Sequence, residues 1–328
     1  MKRAVRFVAW TLAWLLALGC SLWAFGALHY DFTVLRGAVP WAFALVVVAA
    51  IILTRGARRK LGAVFLAFAI VLGWWLTLKP SNDRAWLPDV AQLAWAEING
   101  DEVTLHNVRN CDYRSETDYT PRWETRTVRL SQLTGIDLAI NYWGTPWMAH
   151  PIASFQFAAA PPVCFSIETR KASGESYSAI GGLYRQFELI YIVADERDVI
   201  RVRTNYRQGE DIYLYRTTFT PAQARGRFLE YLRSLNRMRD HPRWYNAITT
   251  NCTTSIRTQQ PAGERRPWNW RLLVNGKGDE LMFEQRTIAT AGLPFAELKQ
   301  RALINPAAKA ADTALDFSLR IRGGLAGF

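Results

Sequence analysis

Four cysteines and four histidines are all that the 328 residues contain, and no two cysteines form a C-x-x-C pair. With the histidines scattered as well, the sequence argues against a zinc site, and no metal or cofactor is expected. Acidic side chains are nearly missing from the first eighty positions, where Asp31 stands alone against nine Lys/Arg. The rest of the chain holds 31 basic and 27 acidic residues, so most of the net charge of +12 belongs to the N-terminal quarter. That distribution excludes a nucleic-acid footprint as its source, and no nucleic acid is expected as a partner. Internal repeats and low-complexity tracts are absent too.

What the N-terminal quarter does have is long apolar runs: Phe7–Tyr30, Gly37–Thr54 and Leu61–Leu78. A bilayer core takes roughly 20 apolar residues per helix, with a usable range of about 17–25. Three transmembrane helices are expected, at about 7–30, 37–54 and 61–78. Lys2, Arg3 and Arg6 also resemble the basic head of a signal peptide, with Cys20 near a lipoprotein-like site. The apolar run continues past Cys20, however, and two more follow, so an uncleaved helix is the reading adopted. The basic residues place the N-terminus and the Arg55–Lys60 loop in the cytoplasm. Three crossings then put everything after Lys79 on the outer side, the periplasm of a bacterium, with membrane lipids as immediate partners.

Residues 81–100 read as a linker with a short helix over Asp89–Asn99. From Gly100 to Tyr215, β-branched and aromatic runs alternate with Gly/Pro turns, which predicts an antiparallel sheet of about six or seven strands. Thr220-Pro221 opens a helix reaching about Asp240, with Ala224, Phe228, Leu232, Leu235 and Met238 as its apolar stripe. Residues 101–290 are expected to form the soluble domain and 291–328 a partly helical tail. The class is α+β.

The chemistry centres on Trp244-Tyr-Asn-Ala-Ile-Thr-Thr-Asn251-Cys252-Thr-Thr-Ser-Ile-Arg257. Thr250 or Asn251 can cap a helix there, whose positive end favours a thiolate at Cys252. A buried structural cysteine is the competing reading. Cys20 falls in an apolar run, so Cys111, Cys164 and Cys252 are the three outside it. An odd number leaves one unpaired, and a Cys111–Cys164 disulfide would leave Cys252 free. A thiol nucleophile needs a base and a group to hold that base. His150, at the start of a strand after Gly144-Thr-Pro146, is the best placed. His106 is open, His241 reads as a helix C-terminal residue, and His29 lies by the outer membrane loop. On the strand Val163–Arg170, alternation puts Cys164, Ser166 and Glu168 on one face. Glu168 can orient the imidazole of a neighbouring strand, or pair with Arg170 or Lys171. Arg201, Arg203 and Arg207 form either a phosphate site or a solvated strand face.

Several blocks together resemble a known family. Asn107-Val-Arg-Asn-Cys-Asp-Tyr-Arg114, Trp143-Gly-Thr-Pro-Trp-Met-Ala-His150, Phe165-Ser-Ile-Glu-Thr-Arg-Lys171, Glu188–Asp198 and Tyr245–Thr254 are similar to the Lnb N-terminal periplasmic domain family. The resemblance implies a permuted papain-like (NlpC/P60-like) fold with an antiparallel sheet and flanking helices. It matches Cys252 to the nucleophile, His150 to the base and Glu168 to the orienting position. It further implies a cysteine-dependent acyltransferase moving an acyl chain from phospholipid, through a thioester, to a lipoprotein N-terminus. One departure is that here the membrane segments precede the domain. A cysteine peptidase or amidase acting on cell wall or peptides, and a non-catalytic anchored interaction protein, are the alternatives.

Overall fold

The computed structural model describes residues 2–32, 35–250, 269–272 and 275–328. They divide into two compact units, one of Met1–Ser81, Ser176–Glu188 and Trp244–Ala247, the other of Asn82–Glu175, Leu189–Arg243 and Ile248–Phe328.

The first unit is built on three helices, α1 (Lys2–Tyr30), α2 (Val39–Leu53) and α3 (Ala57–Thr77). Ala17, Val47, Leu61 and Val64 form one buried cluster, and Ala24, Ala27, Leu28 and Val71 form another that Val39 joins. Val39 therefore sits with the C-terminal end of α1, and Val47 with its middle. The outward side chains of all three helices are also apolar, among them Leu12, Leu16, Leu45, Ile52, Leu66 and Ile70. Such a surface is solvated by lipid rather than by water. Two of the helices, α1 and α3, are long and apolar enough to cross a membrane, not three. The expected second span forms a helix of only 15 residues, because Gly37 and Ala38 stay outside it in a turn and Thr54 ends it in an extended conformation. Pro40 occupies its first turn, where a missing amide does no harm.

The second unit is α+β. Its strands are β1 (Trp95–Asn99), β2 (Glu102–Arg109), β3 (Asp112–Tyr113), β4 (Tyr119–Thr120), β5 (Trp123–Arg129), β6 (Leu133–Trp143), β7 (Ala149–Phe157), β8 (Val163–Arg170), β9 (Glu188–Ala194) and β10 (Glu210–Arg216). Eight of them form one sheet in the order β1-β2-β9-β8-β7-β6-β10, with β5 added on β2. The β6–β7 and β7–β8 pairs are antiparallel, but β2 and β9 run parallel. The sheet is thus mixed rather than wholly antiparallel, since the chain reaches β9 from β2 only after passing through four other sheet strands. Asp89–Asn99 is not helical: after one 3-10 turn at Pro88–Val90 it becomes β1, paired in a hairpin with β2.

On one face of the sheet lies helix α5 (Pro221–Asp240), opened by a Thr220/Gln223 capping box with Pro221 in its first turn. Its Phe228 and Tyr231 pack edge-on or tilted against Phe155 and Phe165. On the other face, Ile152, Cys164, Ile190, Ile192, Ile212 and Leu214 meet Ile200, Ile304, Phe317 and Ile321. A one-turn helix α4 (Glu196–Val199) and a π-helical turn at Val202–Tyr206 also contribute to this layer. Period-two alternation therefore assigns every second residue of β7 and β8 to the layer that holds α4 and the π-turn.

Candidate functional site

His150 and Glu168 lie on adjacent strands, and both face that layer. Ile152 pairs with Ser166 across the antiparallel β7–β8 ladder. Continued by two residues, this register sets His150 opposite Glu168. The His150 Nε2 atom lies 2.7 Å from Ser166 Oγ and 4.0 Å from Glu168 Oε1. Ser166 Oγ in turn donates to Glu168 Oε1 at 2.6 Å. The alternative pairing of Glu168 with Arg170 or Lys171 is not seen among the described residues. Instead Arg203, on the π-turn, donates to the same Oε1 at 2.7 Å and to the Val199 carbonyl at 2.7 Å.

These contacts determine the protonation states. Burial by itself raises the Glu168 carboxyl, but Arg203 first, then His150, Arg109 and the Ser166 hydrogen bond hold it well below the usual carboxylate range. Burial pushes His150 down to about 4, with Glu168 opposing the shift and Arg203 and Arg207 reinforcing it. At neutral pH the group is therefore a carboxylate next to an uncharged imidazole. An ionised carboxylate only accepts hydrogen bonds, and a serine hydroxyl has one proton to give. Because Ser166 gives its proton to Glu168, it must accept from His150, which fixes the proton on Nε2 and leaves the lone pair on Nδ1. Among the described residues, no hydrogen bond reaches Nδ1. The chain Glu168–Ser166–His150 thus presents a neutral base through one defined nitrogen.

Cys252, the expected nucleophile, lies outside the described residues, as do Asn251 and the predicted start of its helix. The other soluble cysteines do not compete for that role. Cys111 and Cys164 are free thiols, both buried, so the disulfide considered between them is not formed. Cys111 packs with Tyr113 and Val202 in one cluster, whereas Cys164 belongs to the core on β8. Burial pushes the Cys111 thiol up to about 11 and also raises the Cys164 thiol well above its ordinary value, so neither supplies a thiolate at neutral pH. His106 stacks on Trp95 at 3.8 Å on the β1–β2 hairpin, and His241 follows α5 as its C-terminal cap. His29 belongs to the last turn of α1. Nε2 of His106 lies 3.6 Å from the exposed Glu97 carboxylate but makes no hydrogen bond to it among the described residues.

Arg201, Arg203 and Arg207 form neither a phosphate site nor a solvated strand face. Arg201 pairs with Asp312, Arg203 with Glu168, and Arg207 lies near Glu116 and Glu210. Arg203 and Ser166 are the site members that the sequence did not reveal as such. Alternation had set Ser166 on the Glu168 face, a signal that was available. The reach of Arg203 from the π-turn is a tertiary contact with no local signature. Behind Arg203, the buried Arg109 clamps Asp198 at 2.7 and 3.0 Å, and Asp198 also accepts from the Cys111 amide at 2.6 Å. That clamp ties the end of β2 to α4 and holds the turn that carries Arg203.

The loop Gly144–Met148 precedes His150 in the chain, and its Trp147 and Met148 are exposed. Gly276 lies against this loop so closely that a Cβ on it would sit 2.1 Å from the Pro146 carbonyl oxygen. Among the described residues, no group of His, Cys, Asp and Glu could hold a metal ion.

Residues 119–276, about half of the chain, match the family model of the Lnb N-terminal periplasmic domain. The chain carries an Lnb N-terminal periplasmic domain. No curated protein and no solved structure matches it. The matched segment includes β7, β8 and the π-turn, so the His150–Ser166–Glu168–Arg203 group falls wholly inside the Lnb domain. A periplasmic domain family and two long apolar helices together point to a membrane-anchored periplasmic protein.

Proposed function

We propose that this Lnb domain is a cysteine-dependent acyltransferase of papain-like type, anchored in the bacterial inner membrane and facing the periplasm. The observation that supports it is the relay ending in a neutral His150 with its lone pair on Nδ1. A base of that kind serves acyl transfer in both directions. His150 takes the proton of the Cys252 thiol, and the thiolate attacks the ester carbonyl of a phospholipid. The tetrahedral intermediate collapses to a thioester, and the lysophospholipid alkoxide leaves with the proton from the imidazolium. An incoming amine, such as a lipoprotein N-terminus, loses its proton to His150 and attacks the thioester, forming an amide and returning the thiol. Glu168, through Ser166, keeps the ring oriented and offsets the charge of the transient imidazolium. The exposed apolar Trp147 and Met148 suit a substrate with an acyl chain.

The anchor in this reading is three-pass. Although α2 is short, it packs along α1 from its C-terminal end to its middle, as an antiparallel member of a bundle does. Crossing by α2 keeps both the N-terminus and the Arg55–Lys60 loop in the cytoplasm.

The test is mass spectrometry of the full-length protein after incubation with phospholipid bilayers. A hydroxylamine-labile acyl adduct on Cys252 is expected, absent from Cys252→Ala and His150→Ala. Loss of one hydrogen bond to the base, in Ser166→Ala, is expected to slow adduct formation about threefold to tenfold. If the wild type takes up no acyl group and instead cleaves peptides in a Cys252-dependent way, the peptidase reading replaces this one.

A further inference from the structure

The segment Ser176–Glu188 belongs to the helical unit, although β8 and β9 flank it in the sequence. Its Tyr184 lies in the cluster with Ala24, Ala27, Leu28 and Val71, stacked on Tyr30 at 5.4 Å and tilted against Trp23 at 6.1 Å. The phenol reaches Gly26 so closely that a Cβ there would meet the Tyr184 hydroxyl at 2.0 Å. Gly26 is four residues before the end of α1, so Tyr184 dips about 6 Å below that end, at 1.5 Å per residue. Arg185 fixes the segment at the same level. Its amide donates to Asp31 at 3.0 Å, and its guanidinium donates to the Trp75 and Leu78 carbonyls at 2.6 and 2.9 Å while stacking 3.8 Å above the Trp75 ring. Trp75 closes the ring with an indole N–H bond to Asp31 at 2.6 Å. Trp23, Tyr30, Trp75 and Tyr184 thereby gather at one end of the bundle, the position of an interfacial aromatic belt.

The same segment exposes apolar side chains: Ile180 is 59% exposed, Tyr177 46% and Leu183 41%. It also holds the segment Trp244–Ala247, which precedes Cys252 in the sequence. The Ala247 amide donates to the Gly182 carbonyl at 2.7 Å, the Tyr245 amide to the Phe187 carbonyl at 2.9 Å, and the Asn246 side chain to the Leu183 carbonyl at 3.2 Å. A Cβ on Gly182 would lie 3.1 Å from the Tyr245 ring, so the two segments are in close contact.

We propose that Ser176–Glu188 is an interfacial insertion that seats Tyr177, Ile180 and Leu183 in the phospholipid headgroup and upper acyl region of the outer leaflet. The occupant of this surface is the bilayer itself. Three facts support it: the exposed residues belong to the same unit as the lipid-solvated helices, their neighbour Tyr184 packs below the end of α1, and aromatic and Arg anchors surround them. An apolar patch at an interface is stabilised by the area it removes from water. The segment Trp244–Ala247, which ends five residues before Cys252 in the sequence, is hydrogen-bonded to the insertion. This inference rests on the membrane-anchored part of the proposed function.

A photoreactive p-benzoylphenylalanine replaces Leu12, Ile180 or Leu183, one at a time, in the full chain reconstituted in nanodiscs of phosphatidylethanolamine and phosphatidylglycerol. After irradiation, intact mass reports covalent lipid adducts. Adducts from all three positions are the expected result. Adducts from position 12 but none from 180 or 183 overturn the insertion and leave the anchor standing. No adduct even from position 12 overturns the anchor, and the insertion with it.

Discussion

A neutral imidazole beside an ionised carboxylate is an unusual pairing, and here burial accounts for most of it, reinforced by the guanidinium of Arg203. Arg203 shares the Glu168 oxygen nearest the ring, and its own charge disfavours a second cation nearby. The folded pKa of His150, about 4, lies below the ordinary value of 6.5. As pH falls, the unfolded chain therefore takes up this proton first, so the contribution of His150 to stability is complete above pH 6.5 and is lost between there and about 4. Glu168, also depressed, adds a further loss below the ordinary carboxylate range. NMR titration of the His150 ring is expected to show a midpoint near 4 in the wild type. In Arg203→Met the midpoint is expected to rise, because Glu168 then has the imidazolium as its nearest counter-charge. A midpoint already near 6.5 in the wild type contradicts the neutral-base picture. Strand alternation and turn chemistry single out His150 and Glu168 in the sequence as candidates, but nothing local marks Arg203 as their neighbour, because that contact spans 35 residues.

At the scale of elements, α5 holds the sheet from the face opposite the site. Phe228 is fully buried, with ring centroids 5.0, 5.7 and 5.8 Å from Phe155, Phe157 and Phe165. Truncation of such a side chain typically costs about 3–5 kcal/mol, the transfer term plus the cavity left behind. Phe228→Ala is therefore expected to lower the thermal midpoint by several degrees or more, and to loosen β7 and β8 together, since both rest on this ring. Hydrogen exchange resolved by peptide checks it: protection should fall in β7 and β8 more than in β1. The α5 helix was legible because Thr220, Pro221 and Gln223 carry its start in three local residues, and its stripe follows a 3.6-residue period. Trp95–Asn99 was misread for the opposite reason. Val90, Leu93, Ala94 and Ile98 imitate helical spacing, while the signal that mattered was the turn at Gly100, whose φ of +63° admits the tight connection between β1 and β2. The π-turn at Val202–Tyr206 was equally hidden, because its residues alternate as a strand does.

For the whole molecule, the number of crossings decides on which side of the membrane the Lnb domain works. Two helices have the length of a span and the third has 15 residues, about 22 Å at 1.5 Å per residue against a hydrocarbon core of about 30 Å. If α2 did not cross, α1 and α3 alone would return the domain to the side of the N-terminus and set Arg55, Arg58, Arg59 and Lys60 outside. Both consequences conflict, the first with a periplasmic family and the second with the bias of basic loops toward the cytoplasm. The mismatch of a short helix is a modest cost, fractions of a kcal/mol per Å, met by local thinning of the bilayer and by packing against longer neighbours. Opposed to it is the translocation of four adjacent basic residues, so the short span is the cheaper solution. Labelling with a membrane-impermeant maleimide in right-side-out spheroplasts separates the two topologies, each variant read against the parent chain. Arg114→Cys, on an exposed side chain of the α+β unit, is expected to label directly. Arg58→Cys is expected to label only after lysis. Labelling of Arg58→Cys from outside shows that α2 does not cross, and the side of the domain is then set by α1 and α3 alone.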